Sequence, residues 1–166
     1  MHPDWLSNAY LVADEEGGSA VLVDSGADVK PLLAAAERWR VEPSYVLRTH
    51  SHHDHVVHER ELGLPVRTDG IEVGGLRVEA LPTPGHSDDM IAFVVNGEAV
   101  FTGDTLFKGG PGATGRSFSD FPTIIDSIKH RLLTLPPDTV VHTGHGDDTT
   151  IGAEAPHLDE WVVRGH

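Results

Sequence analysis

Residues 49–55 read THSHHDH, four histidines and an aspartate in seven positions. Imidazole and carboxylate groups resist burial unless they are paired, so packing does not account for such density. The chain has no cysteine, which excludes thiolate ligands, disulfides and a cysteine nucleophile. Any metal held here is held by His, Asp, Glu and water, and a metal so held can ionise a water near neutral pH. Three further polar stretches each offer one strong ligand beside a glycine: Pro84-Gly85-His86-Ser87, Gly103-Asp104-Thr105 and Gly144-His145-Gly146. Glycine lets the backbone come close.

Those stretches need strands to carry them. Asn8–Val12 and Ala20–Asp24 read as a hairpin across Asp14-Glu15-Glu16-Gly17-Gly18. Asp28 can cap a helix over Val29–Trp39, with Leu32, Leu33, Ala36 and Trp39 at helical spacing. The apolar run Tyr45-Val46-Leu47 leads straight into THSHHDH and puts the motif on a loop at a strand's end. A helix over Val56–Leu62 follows, then strands Pro65–Arg67, Ile71–Val73, Leu76–Leu81, Ile91–Val95 and Ala99–Phe101, with Gly74-Gly75 and Asn96-Gly97 as hairpin turns. Residues 103–120, rich in Gly, Ser and Asp, read as a long loop, of a length that is usually functional or disordered. Pro122 opens a helix through Leu133, Val140–Thr143 is a strand, and Ile151–Ala155 and His157–Arg164 are helical. His86, Asp104 and His145 each stand just past one of these strands. The order of elements suits two sheets with helices outside.

A chain of 166 residues suggests a single domain, 1–166, with room for a real core. Its 26 acidic and 12 basic residues give a formal charge of −14. That charge repels phosphate backbones, so nucleic acid is not an expected partner. No apolar run is long enough to span a bilayer. The stretch MHPDWLSNAYLV has neither a basic region nor an apolar leader, so no membrane partner and a cytoplasmic location are expected.

THSHHDH has the form H-x-H-x-D-H, and His86, Asp104 and His145 follow it in order. Together with TPGHS, FTGDTLF and LTLPPDTVVHTGHGDDTTIG, the chain resembles the metallo-β-lactamase superfamily over nearly its whole length. Within it the chain resembles the glyoxalase II-type hydrolases. The resemblance implies an α/β fold, a four-layer αβ/βα sandwich of two mixed β-sheets flanked by helices, with the site at one edge. It implies two divalent metal ions. His50, His52 and His86 hold the first, Asp54, His55 and His145 the second, and Asp104 bridges them. The spacing agrees, since His50 and His52 alternate and can converge on one ion, while the adjacent Asp54 and His55 can turn toward another. Nitrogen and oxygen donors suit Zn²⁺ first, and Fe²⁺ or Mn²⁺ as well. Two such ions about 3.5–4 Å apart can clamp a hydroxide and stabilise an oxyanion. Asp54 would orient the nucleophile, so Asp54 and Asp104 are catalytic residues as well as ligands.

The reaction this implies is hydrolysis of a small-molecule thioester, the S-acyl conjugate of a small thiol. Full-length glyoxalase II enzymes bind glutathione largely through an added C-terminal helical domain, whereas only a short tail follows His145 here. Specificity is therefore expected from residues 105–120, where Lys108 and Arg116 could meet a substrate carboxylate. The alternative is a mononuclear iron persulfide dioxygenase of the same fold, using His50, His86 and Asp104. The complete second set favours hydrolysis, and lactones, lactams and phosphoesters are less favoured substrates. His53 is expected outside the ligand set and His58 on an exposed helix face. His2, His130, His142, His157 and His166 read as surface or packing residues, and Asp24 in VDSG either as a hydrogen-bonding partner of the ligand loop or as a simple turn aspartate.

Overall fold

The structure, a computed structural model, describes residues 7–115 and 119–165. The chain opens with the expected hairpin, β1 (Tyr10–Ala13) and β2 (Ser19–Val23), then α1 (Lys30–Trp39) and β3 (Glu42–Leu47). Two short helices follow, α2 (His53–Val56) and α3 (Glu59–Leu62), then β4 (Val66–Arg67), β5 (Ile71–Val73), β6 (Leu76–Pro82), β7 (Ile91–Val95) and β8 (Ala99–Gly103). A small hairpin, β9 (Leu106–Phe107) and β10 (Gly110–Pro111), precedes α4 (Phe121–Ser127), which runs on as a π-helical turn over Ile128–Leu132. The chain closes with β11 (Val140–Thr143), β12 (Thr149–Thr150), α5 (Ile151–Glu154), a 3₁₀ turn and α6 (Leu158–Arg164).

One sheet has the order β1-β2-β3-β4 and the other β12-β11-β8-β7-β6-β5. Both are mixed: β2 and β3 run parallel beside the antiparallel β1, and β8 and β11 run parallel within an otherwise antiparallel sheet. Strand side chains alternate between faces, and the alternation builds three apolar interfaces. Val21, Val23 and Leu47 of the first sheet meet Val78, Phe93, Val95 and Phe101 of the second. On the outer face of the second sheet, Ala92, Val94, Val100 and Val141 pack on Ile124, Ile128, Leu132 and Trp161 from the helices. On the outer face of the first, Ala20 packs on Ala36 of α1. Helix, sheet, sheet and helix are thus four layers, the expected αβ/βα sandwich. No helix among the described residues is long and apolar enough to cross a membrane.

Some elements differ from the sequence reading. The helix expected over Val56–Leu62 starts earlier, at His53, and breaks into two pieces around Val57-His58. Asp54 and His55 therefore sit in a helical turn. Asp28 accepts from the Lys30 amide at 3.1 Å, but the capping position itself is Val29. Of the apolar residues on α1 only Ala36 is buried, while Leu33 and Trp39 are 40 % and 49 % exposed. The small Ala20–Ala36 contact seats the helix close on the sheet and leaves the larger side chains at its flanks. Residues 103–120 contain the β9–β10 hairpin where an unstructured loop was expected, and β12 was not foreseen.

Candidate metal centre

The parallel pairings bring the functional loops to one edge. Pairing of Val23 with Leu47 puts Asp24, the residue after β2, beside the segment that follows β3. Pairing of Thr143 with Gly103 does the same for Asp104 and His145. β6 runs in the same direction as β8, being antiparallel to their common neighbour β7, so His86 leaves from the same edge. The two sheets are joined there by a bond from the Ile91 amide to the Thr49 carbonyl, 2.8 Å.

Seven side chains converge. His50 Nε2 lies 2.9 Å from His52 Nδ1, which lies 3.0 Å from His86 Nε2. On the other side His55 Nε2 is 3.3 Å from His145 Nε2, and Asp54 Oδ2 is 3.3 Å from His145 Nε2 and 3.6 Å from His55 Nε2. Asp104 stands between the two groups. Its Oδ2 is 3.5 Å from His86 Nε2 and 3.4 Å from His145 Nε2, and its Oδ1 is 3.3 Å from His55 Nε2. The groups His50–His52–His86, His50–His55–Asp104 and Asp54–His55–His145 each could hold an ion. The spacing passes a simple test: with metal–nitrogen bonds of about 2.0–2.1 Å, two donors at right angles lie about 2.9 Å apart and two at the tetrahedral angle about 3.4 Å. A second sign is Asp104 Oδ1, a buried carboxylate oxygen without a hydrogen-bond partner.

The donor atoms are aimed from behind. Asp24, 3 % exposed and at φ +54°, accepts from the Thr49 amide on Oδ1 at 2.8 Å. Its Oδ2 accepts from the Thr49 hydroxyl and pairs with His55 Nδ1, both at 2.8 Å. The Thr49 hydroxyl is 3.0 Å from His50 Nδ1. Since that hydroxyl gives its hydrogen to Asp24, it accepts from His50. One carboxylate thus puts the hydrogen on Nδ1 of both His50 and His55 and leaves their Nε2 atoms for a metal. The Ala113 carbonyl, 2.8 Å from His86 Nδ1, does the same for His86. Gly144 is required on steric grounds, because a Cβ there would overlap the Asp104 carboxylate.

Electrostatics follow from this packing. Burial, with the neighbouring His55, pushes His50 down to about 2, and burial, with His86, also lowers His52. Both are held as neutral imidazoles, the form a metal binds. Burial opposes charge on His55 too, but the neighbouring carboxylates of Asp104 and Asp24 outweigh it and raise the group to about 10. Asp104 raises His145 as well. Burial works against ionisation of Asp104, yet His145 and His55 hold it well below the usual carboxylate range.

The converging donors open into a cavity of about 820 Å³ lined by Ser51, His52, His53, Asp54, His86, Ser87, Asp88, Asp89, Asp104, Phe107, Ala113, Ser119 and His145. His53 is exposed at its rim and belongs to none of the three donor groups. His58 pairs with Glu61 at 3.1 Å, and His142 stacks on Phe101 at 4.7 Å. Lys108 is exposed and pairs with Asp147 at 3.1 Å, and it is not among the described residues that line the cavity. Arg116, His2 and His166 lie outside the described residues. Sequence reasoning missed Ser7 and Asn8, which lace the site from the N-terminal side. The Ser7 hydroxyl donates to the Asp54 carbonyl at 2.7 Å, and the Asn8 amide to the Gly144 carbonyl at 2.7 Å. A serine and an asparagine before a strand carry no signal of such a task. It also missed the Ala113 carbonyl, which no side-chain pattern can report.

Comparison with known proteins agrees on one superfamily. The description Metallo-beta-lactamase superfamily matches residues 2–57 and 59–145. Hydroxyacylglutathione hydrolase GloC of Haemophilus influenzae is 30 % identical over 189 aligned positions, covering 89 % of each chain. Among solved structures, TTHA1623 in a di-iron-bound form is 33 % identical, with a TM-score of 0.77 over 93 % of this chain and 94 % of that one. BLEG-1 B3 metallo-beta-lactamase is 25 % identical, with a TM-score of 0.82 over 92 % of both.

Proposed function

The chain belongs to the metallo-beta-lactamase superfamily, and on that premise we propose that it is a metal-dependent hydrolase that cleaves a thioester, the S-acyl conjugate of a small thiol, with two divalent ions. His50, His52 and His86 hold one ion, Asp54, His55 and His145 the other, and Asp104 serves both. Zn²⁺ is the first choice for these donors, and Fe²⁺ or Mn²⁺ suit them too. The observation that carries the reading is that two donor groups converge side by side, with Asp104 within 3.5 Å of a member of each. A mononuclear dioxygenase working through His50, His86 and Asp104 would leave His52, Asp54, His55 and His145 without a task. The ions, when bound, supply a water ionised near neutral pH and a Lewis acid for the developing oxyanion.

The chain's own residues do the rest. Asp24, acting on His55 directly and on His50 through Thr49, fixes which ring nitrogen faces inward. Asp54 lines the cavity next to His145, and its carboxylate would orient the attacking water by accepting a hydrogen bond from it. The bonds from Ser7 and Asn8 hold the Asp54 and His145 loops together, which keeps the second donor group assembled. The name of the Haemophilus relative supports thioester hydrolysis, and the di-iron form of TTHA1623 supports two ions.

The test pairs elemental analysis with turnover of S-lactoylglutathione and of a second thioester on a different thiol. Two ions per chain and hydrolysis of at least one thioester are expected. One iron per chain with oxygen uptake on glutathione persulfide would overturn the reading.

A further inference from the structure

Glu154 is a buried carboxylate that the proposed chemistry does not use. It is 4 % exposed at the end of α5. Its Oε1 accepts from the Thr149 hydroxyl at 2.6 Å and its Oε2 from the Gly109 amide at 3.0 Å. Burying a carboxylate is costly unless it is well bonded, so the two bonds have a structural purpose. Gly109 lies in the turn between β9 and β10, at φ +95°. Glu154 therefore fixes the tip of that hairpin to the β12–α5 corner. The other strand of the hairpin is braced by α6, since a Cβ on Gly110 would stand 2.9 Å from Arg164 Nη2.

What the hairpin presents follows from strand alternation. Leu106 points into the core and is fully buried, while its neighbour Phe107 lines the cavity. The Phe107 ring meets the His145 ring edge-on, with centroids 5.9 Å apart. Among the described lining residues, Phe107 and Ala113 are the apolar ones, whereas the rim over Ser51, Ser87, Asp88 and Asp89 is polar.

We propose that Phe107 is the specificity-determining wall for the acyl group of the substrate, and that Glu154 is the positioning residue that holds this wall against His145. The apolar part of an acyl chain packs on the Phe107 ring, and the polar thiol carrier leaves along the serine and aspartate rim. The inference rests on the thioester reading and names the substrate class as S-acyl conjugates with a short aliphatic acyl chain.

The test uses the metal-loaded protein with acetyl and butyryl thioesters of N-acetylcysteamine, so that only the acyl chain changes. Each methylene buried on one side of a wall is worth roughly a twofold gain and one fully enclosed about fourfold. The kcat/KM ratio of butyryl to acetyl is thus expected to be about four to fifteen in the unaltered protein. Phe107→Ala should bring that ratio to about one, through KM rather than kcat, because a wall binds ground and transition states alike. Glu154→Ala should lower the same ratio. Glu154→Gln should restore it, since the amide oxygen accepts from Gly109 and the amide nitrogen donates to the Thr149 oxygen. Metal content should stay at two in all three variants. A ratio unchanged by Phe107→Ala overturns the wall, and a ratio unchanged by Glu154→Ala overturns the positioning role. The non-hydrolysable thioethers S-ethyl- and S-butyl-N-acetylcysteamine, titrated by calorimetry, keep the wall testable without turnover. Absence of thioester turnover with the same Phe107-dependent preference for the butyl thioether would sink the thioester reading and leave the wall standing. Equal binding of the two thioethers would sink the wall.

Discussion

Replacing Asp24 by asparagine asks whether one buried carboxylate sets the donor atoms of both metal groups. Asparagine has nearly the same shape and tolerates the left-handed backbone at φ +54°, so the chain path is kept. Its carbonyl oxygen can still accept from the Thr49 amide, which places its NH₂ where Oδ2 now receives the Thr49 hydroxyl and His55 Nδ1. An N–H pointed at His55 Nδ1 forces the hydrogen onto Nε2, the atom that faces Asp104 and His145. The Thr49 hydroxyl would accept from the same NH₂ and donate to His50 Nδ1, with the same consequence for His50. Two bonds to a charged acceptor are lost or weakened, and such bonds contribute roughly 1.5–3 kcal/mol against about 1 for neutral ones. The metal-free variant should therefore unfold about 2–3 kcal/mol more easily, read by denaturant titration. Loss of such an orienting partner typically costs about 10–100-fold in metal affinity, and here the cost should fall on both ions, read by competition with a chromophoric chelator. Unchanged affinity for both ions in Asp24→Asn would show that the carboxylate does not fix the rings.

Other expectations are simpler to test. Gly144→Ala should lose at least tenfold in metal affinity because its Cβ overlaps the Asp104 carboxylate; a variant that still carries two tightly bound ions by elemental analysis would contradict this. His53→Ala should keep two ions and His52→Ala should lose one, since His52 Nδ1 touches both His50 and His86 while His53 sits at the rim; the reverse result would mean the ligand allocation is wrong. In the metal-free protein His55 is raised to about 10 from an unfolded value of about 6.5. Its protonation therefore stabilises the fold fully below about pH 6.5, and that contribution fades as pH rises through about 10, as denaturation midpoints across that range should show. The same proton must leave when a metal binds, so affinity should climb with pH over this window, and a flat profile would refute it.

The site was more legible than the elements that carry it. His50, His52, Asp54, His55, His86, Asp104 and His145 are recognisable because imidazoles and carboxylates gathered at strand ends, the last three beside glycines, have few other uses. Strand centres were legible for the same kind of reason, since Val94 and Val95 alternate between two apolar interfaces and demand burial on both. Boundaries were not. The helix at His53 begins inside the motif because metal-type residues carry no helical periodicity, and its first turn is held by the Ser25–His55 backbone bond and the Ser7–Asp54 bond from distant segments. The β9–β10 hairpin was invisible because Lys-Gly-Gly-Pro reads as loop, and it is held by Glu154 and packed against α6, both far away in sequence. Lys108 pairs with Asp147, a contact that composition cannot foretell.

The division of the ligands between the two sheets has a further consequence for stability. His50, His52, Asp54 and His55 follow β3 in one sheet, whereas His86, Asp104 and His145 follow β6, β8 and β11 in the other. Neither sheet holds a complete group alone, so each proposed ion would fasten the sandwich along the edge where it opens to solvent. An ion present at a hundred times its dissociation constant adds about 2.7 kcal/mol, and two add about 5. For a chain of this size that is roughly 10–20 °C in Tm. The gain should be local as well as global. The Ile91 amide, bonded across the seam to the Thr49 carbonyl, should lose more hydrogen-exchange protection on chelation than the Val94 amide inside the second sheet. Equal loss at both positions, or a Tm that ignores the chelator, would mean the ions sit in a seam already closed by the apolar contacts of Val21, Phe93 and Phe101.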